Sequence, residues 1–121
     1  MRIVACGDAL FSGGNLARRL EPGLLKVLTE ADGALANAEF CCPARGTPPA
    51  PRRFITAVDA RAIDELTSIG LNLICFANNH TGDFGAQGVA DTIEACEARG
   101  VLPIGIGRSL EEARAARFRD T

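Results

Sequence analysis

The chain has 121 residues, 47% of them hydrophobic, and a formal net charge of −2 from thirteen Lys and Arg against fifteen Asp and Glu. That length fits one small domain with enough apolar residues for a core. The balanced charge argues against holding nucleic acid or a membrane surface by electrostatics alone, and the absence of Trp and Tyr argues against stacking on bases.

Residues 2–7, RIVACG, are a short apolar run stopped by Gly7-Asp8. They predict a buried strand with a loop at its carboxyl end. Residues 22–31 place Leu24, Leu25, Val27 and Leu28 at helical spacing, with Pro22 in the first turn. Residues 33–39, GALANAE, predict a second strand. Residues 42–53 are rich in Pro and Arg and contain Gly46, which predicts an irregular loop. Residues 58–69 are amphipathic and predict a helix, with Asp59 placed to cap it and Gly70 just past its end. Residues 71–77, LNLICFA, predict a third strand, apolar enough for the centre of a parallel sheet. A helix over 84–99 closes at Gly100, and a fourth strand follows over 101–106. Ser109 then caps a helix in LEEARAARF, where Ser-Leu-Glu-Glu resembles a capping box.

Strands and helices alternate throughout. This predicts an α/β domain over residues 1–121, with parallel strands joined by right-handed crossovers. The five cysteines are an odd number. Cys6, Cys75 and Cys96 lie in apolar runs, where a free thiol serves as a small hydrophobe. No CxxC spacing supports a thiolate zinc site. The vicinal Cys41-Cys42 pair suits a metal or a strained disulfide, but reads more simply as two loop cysteines at a strand end. Cysteine usage of this kind fits a reducing compartment. The N-terminal apolar run is too short for a signal peptide and no stretch reaches membrane-spanning length, so the expected location is the cytoplasm.

In open parallel sheets, ligands bind beyond the carboxyl ends of the strands. Here those ends read Gly7-Asp8, Asn37-Ala38-Glu39, Asn78-Asn79-His80 with Asp83 close behind, and Gly105-Ile106-Gly107-Arg108. Three of the four carry carboxylate, amide or imidazole donors, a set suited to Mn, Fe, Zn or Mg. Hydrolysis of phosphate esters uses such donors. Each has a plainer use alone: Asp8 as a turn residue or cap, Glu39 as a solvated loop residue, His80 as a surface histidine, Asn78-Asn79 as a left-handed turn. Their placement at consecutive strand ends favours the shared site. The GIGRS segment has the look of a phosphate nest, through Gly105, Gly107 and Arg108 ahead of a helix, but lacks the spacing of a P-loop or dinucleotide fingerprint. Ser12 and the cysteines are candidate nucleophiles, yet with His80 the only histidine a Ser-His-Asp site is disfavoured.

These segments resemble, in order, the N-terminal part of the bacterial capsule synthesis protein CapA family, the poly-γ-glutamate biosynthesis proteins, within the calcineurin-like metallophosphatase superfamily. GDALFSG is similar to the family's opening Gly-Asp segment. GALANAEF is similar to its Asn-x-Glu after the second strand. ANNHTGDFG with the Thr-bearing helix after it is similar to the central signature, and PIGIGRSLEEAR to the stretch beyond. The resemblance implies a fold like the first half of an αββα metallophosphatase sandwich. It implies Asp8, Glu39 and Asn79 as ligands of a divalent metal (Mn, Fe or Zn), and His80 as the catalytic residue that supports the transferred phosphate or the leaving group. Asn37, Asn78 and Asp83 would support and orient those ligands, with Asp83 equally suited to cap the next helix. The implied substrate is phosphate-containing or polyglutamate-related. The family's second half carries further histidines, so the resemblance also implies either a truncated chain, incomplete at its C-terminus, or one that pairs with a missing second-half partner or as a homodimer. The alternative is a non-catalytic α/β module that docks on another chain.

Overall fold

Four strands run parallel and follow one another across the sheet in the order they occur in the chain. The computed structural model describes residues 1–10 and 14–118. Strands β1 (Ile3–Ala9), β2 (Gly33–Ala38), β3 (Leu73–Cys75) and β4 (Pro103–Ile104) pair in the order β1-β2-β3-β4. Helices α1 (Leu16–Arg19), α2 (Pro22–Thr29), α3 (Arg61–Ser68), α4 (Gly85–Glu97) and α5 (Leu110–Arg114) complete the described elements.

The helices that connect successive neighbours pack their apolar side chains against one face of the sheet. Burial follows. Ala34, Ala36, Ala38, Ile74 and Phe76 are fully covered and form one core with Leu28, Ile63, Leu66, Ile93 and Cys96 from the helices. Each large aliphatic side chain there contributes about 1.5–3 kcal/mol by leaving water. The opposite face is open: Ile3 is 56% exposed, and Leu35, Leu73, Cys75 and Ile104 are half-buried. Gly33 lets that face close on itself, because a Cβ there would stand 2.9 Å from Ile3 Cδ1 and 3.2 Å from Leu73 Cδ1.

The element boundaries differ from expectation where tertiary pairing decides them. Strand β1 runs on through Gly7 and Asp8 to Ala9, with a register shift between Ala5 and Asp8 that sets Asp8 opposite Asn37. Strands β3 and β4 are shorter than their apolar runs. Pro103 cannot donate to a ladder, and as an edge strand β4 tolerates it. Helix α3 begins at Arg61, and Ala60 rather than Asp59 holds the cap position. Asp59 Oδ1 instead accepts from the Arg61 amide at 2.9 Å and its Nε at 3.0 Å. Gly70 follows α3 as expected, at φ 93°, while the Leu71 amide closes on Leu66 O at 3.2 Å. Helix α1 has no counterpart in the sequence reading. Its first amide, Leu16 N, is satisfied at 2.9 Å by Glu65 Oε2 of α3, forty-nine residues away. Helix α5 is capped by Ser109, whose Oγ accepts from Glu112 N at 3.1 Å, but it stops at Arg114.

Candidate functional site

The carboxyl ends of β1, β2 and β3 bring the expected polar residues together. Asn37, the penultimate residue of β2, lies between the two carboxylates. Its Nδ2 donates to Asp8 Oδ1 at 2.8 Å and to Glu39 Oε1 at 3.1 Å. The bulge in β1 matters here, because it places Asp8 across from Asn37. Asn37 Oδ1 in turn accepts from Asn78 Nδ2 at 3.0 Å, and the same nitrogen donates to Ala38 O at 2.7 Å. Asn78 thus fastens the end of β3 to the end of β2. Its Oδ1 accepts from the His80 amide at 2.9 Å, an Asx turn that starts the loop. The Thr81 hydroxyl ties the same loop to the Phe76 carbonyl.

His80 is half-buried and points back across the strand ends. Its Nδ1 lies 2.7 Å from Asp83 Oδ2 and its Nε2 lies 3.8 Å from Glu39 Oε2. Asp83 is fully buried. Its Oδ2 also accepts from Thr56 N at 2.8 Å, and its Oδ1 from Arg52 Nη1 at 3.1 Å. Burial opposes the charged carboxyl, but the Thr56 amide, the imidazole and the guanidinium outweigh it and hold Asp83 below the ordinary carboxylate range. Of the two uses open to Asp83, the contacts fit support of His80, since no side chain caps α4.

Asn79 stands apart from that network. Its side chain is exposed, makes no hydrogen bond among the described residues, and lines a cavity of about 510 Å³ with Gly105, Gly107 and Ala113. The GIGR segment is taken up by packing. Gly105 has φ 70°, and a Cβ there would come 2.6 Å from Ala77 Cβ; one on Gly107 would come 2.3 Å from Ala113 N. Arg108 is exposed, with Nη1 3.3 Å from Glu112 Oε1. Ser12 lies outside the described residues. Cys41 and Cys42 are free and buried, and burial pushes their thiols up to about 11 and about 12. That disfavours both as nucleophiles or metal ligands.

The donors fit a divalent cation in part. Glu39 Oε2 and His80 Nε2 stand 3.8 Å apart, so an ion held by Glu39 would lie beside the imidazole. Among the described residues no group of three or more His, Cys, Asp or Glu gathers closely enough to hold a metal.

The profile of one family, described as bacterial capsule synthesis protein PGA_cap, matches residues 2–121. The chain belongs to this family. Two uncharacterized proteins of Sinorhizobium fredii are each 32% identical over 127 residues, which is 98% of this chain and 27% of theirs. A probable polyglutamine synthesis accessory protein of Mycobacterium tuberculosis is 31% identical over 86 residues, 71% of this chain and 23% of that one. The chain spans about a quarter of the length of these relatives. Within the family's matched segment, Arg52 and Thr56 were not among the residues expected at the site. They lie in and just after a Pro-rich loop, and no spacing marks them. Three arginines without an acidic residue between Phe40 and Val58 are the one signal that could have directed attention there. No helix among the described residues is long and apolar enough to cross a membrane.

Proposed function

We propose that this chain is part of a metal-dependent phosphoesterase of the capsule synthesis family, contributing one half of its metal site. The observation that carries the reading is the single Asn37 amide nitrogen bonded to both Asp8 and Glu39, with His80 Nε2 facing Glu39. In this reading Asp8 and Glu39 would hold the cation, whether Mn, Fe or Zn, with further ligands from outside this network, which the Asn79 side chain does not join. The cation would supply Lewis acidity to a phosphoryl oxygen. Asn37 keeps the two carboxylates at fixed separation. His80, when it carries a proton at Nε2, would stabilise charge on the phosphate or hand that proton to the leaving oxygen, while buried Asp83 orients the ring. The substrate class proposed is a phosphate ester, or a phosphate-containing or polyglutamate-related intermediate, given that a relative carries a polyglutamine synthesis name.

The test is metal retention. Protein loaded with Mn²⁺ and exhaustively dialysed should keep metal by plasma mass spectrometry, and Asp8→Asn and Glu39→Gln should each lose most of it. Equal metal in all three proteins would refute the assignment.

A second reading rests on the open sheet face. Ile3 at 56% exposure and Leu10 at 61%, with half-buried Leu35 and Leu73, form an apolar surface suited to a second copy or a second-half partner. Sedimentation velocity should then show a concentration-dependent dimer. A monomer at all concentrations that binds no apolar dye would refute this reading.

A further inference from the structure

The loop over residues 42–53 was expected to be an irregular connection, yet it is fixed at both ends. At its start, Cys42 N donates to buried Thr92 Oγ1 at 3.0 Å. Ala44 N and Thr47 Oγ1 donate to Asp91 Oδ2 at 2.9 and 2.6 Å. At its end, Ala50 N donates to Asp83 O at 2.8 Å. Pro48 and Pro49 stand between these ties and Pro51 directly after the last, each with a fixed φ and each restricting the residue before it. A strap so stiffened delivers the next residue, Arg52, with little further entropy to lose.

Arg52 lands on the loop that carries His80. Its Nη1 donates to Asn79 O at 2.6 Å and to Asp83 Oδ1 at 3.1 Å, one acceptor on either side of the histidine. Its Nη2 lies over Gly82, where a Cβ would stand 3.2 Å away. Exposed ion pairs are worth little, but here the carboxylate is fully buried and the cation bridges two points of one turn. With one Asp83 oxygen taken by Arg52, the other receives Thr56 N and His80 Nδ1. A carboxylate so engaged accepts a proton-bearing Nδ1. The ring nitrogen left facing Glu39 is then Nε2, with its lone pair available whenever the ring is neutral.

We propose that Arg52 is a positioning residue: by clamping Asn79 and Asp83 it fixes His80 in one ring orientation and one tautomer, with Nε2 presented to the strand-end site. The use made of Nε2 rests on the phosphoesterase reading; the clamp does not, and it is tested without metal.

His80 is the only histidine, so a long-range ¹H–¹⁵N correlation spectrum of the uniformly labelled, metal-free chain reads this ring alone. At about pH 8.5, above the ordinary imidazole range of about 6.5, wild type should show a protonated Nδ1 and a lone-pair Nε2. Arg52→Ala should move both nitrogens toward the averaged positions of exchanging tautomers. Arg52→Lys, which keeps a charge but only one reach, should fall between. A backbone amide spectrum of each variant reports whether the fold is kept. A folded Arg52→Ala whose two nitrogens stay at wild-type positions would overturn the proposal, even if its stability fell, because Arg52 would then only brace the strap. Wild type showing Nε2 protonated instead would overturn it as well. Failure of metal retention changes neither readout.

Discussion

Replacing Asp83 by Asn keeps the shape of the side chain and removes its charge, and the surroundings leave the amide no good orientation. With its oxygen in the place of Oδ2 it still accepts from Thr56 N and His80 Nδ1, but its NH₂ then faces the Arg52 guanidinium. Turned over, it keeps Arg52 and sets NH₂ against the Thr56 amide and the imidazole, which lie at 2.8 and 2.7 Å. The first arrangement loses one charge-assisted bond, about 1.5–3 kcal/mol. Arg52 is 44% exposed along its side chain and can turn to water, which places the expected loss at about 2 kcal/mol. Urea unfolding followed by far-UV circular dichroism should therefore show a midpoint lower by about 1 M, given a slope of about 1–3 kcal/mol per molar for a small domain. The pH dependence has a definite sign. Asp83 is held below the ordinary carboxylate range when folded, so its contribution is present above the unfolded value of about 3.9 and is lost as pH falls through the folded value. The gap between wild type and Asp83→Asn should be full at pH 7 and narrow below about pH 4. A gap under about 0.5 kcal/mol at pH 7, within the scatter of ordinary surface substitutions, would refute the view that this buried carboxylate holds the turn together.

Two further outcomes follow from the packing. Thr92→Val should lower stability by about 1–3 kcal/mol in the same assay, because it strands the buried Cys42 amide that Thr92 Oγ1 accepts at 3.0 Å; Thr92→Ser should recover most of it. Iodoacetamide at pH 8 should label exposed Cys6 first, while Cys41, Cys42 and Cys96, buried thiols with pKa values raised to about 11, 12 and 12, should react only after urea unfolding; mass spectrometry of the native protein finding them labelled as fast as Cys6 would contradict the packing.

The alternation of strands and helices was legible because each apolar run is bounded by Gly, Pro or Asp and each helical stretch repeats at helical spacing. The convergence of Asp8, Asn37, Glu39, Asn78 and His80 was legible for a topological reason, since parallel strands put all their carboxyl ends on one edge. What stayed hidden depends on contacts between distant segments. Helix α1 is only four residues long and takes a cap from Glu65 of α3. The bulge that turns Asp8 toward Asn37 arises from pairing with β2. Arg52 sits in a stretch whose prolines signal only irregular backbone, and its partners lie twenty-seven and thirty-one residues on. The glycines of the GIGR segment looked like an anion nest, yet the close approach they permit is to Ala77 and to Ala113.

The account's central claim is that the ends of β1 and β2 present Asp8 and Glu39 to one cation, with the His80 ring beside it. Mn²⁺ added in substoichiometric amounts broadens resonances near where it binds, and the single imidazole can be watched by NMR. The account predicts that the His80 ring signals and the Asn37 side-chain amide broaden first in wild type and persist at the same Mn²⁺ in Glu39→Gln. His80 remaining sharp while exposed carboxylates such as Asp64 and Glu111 broaden would contradict it.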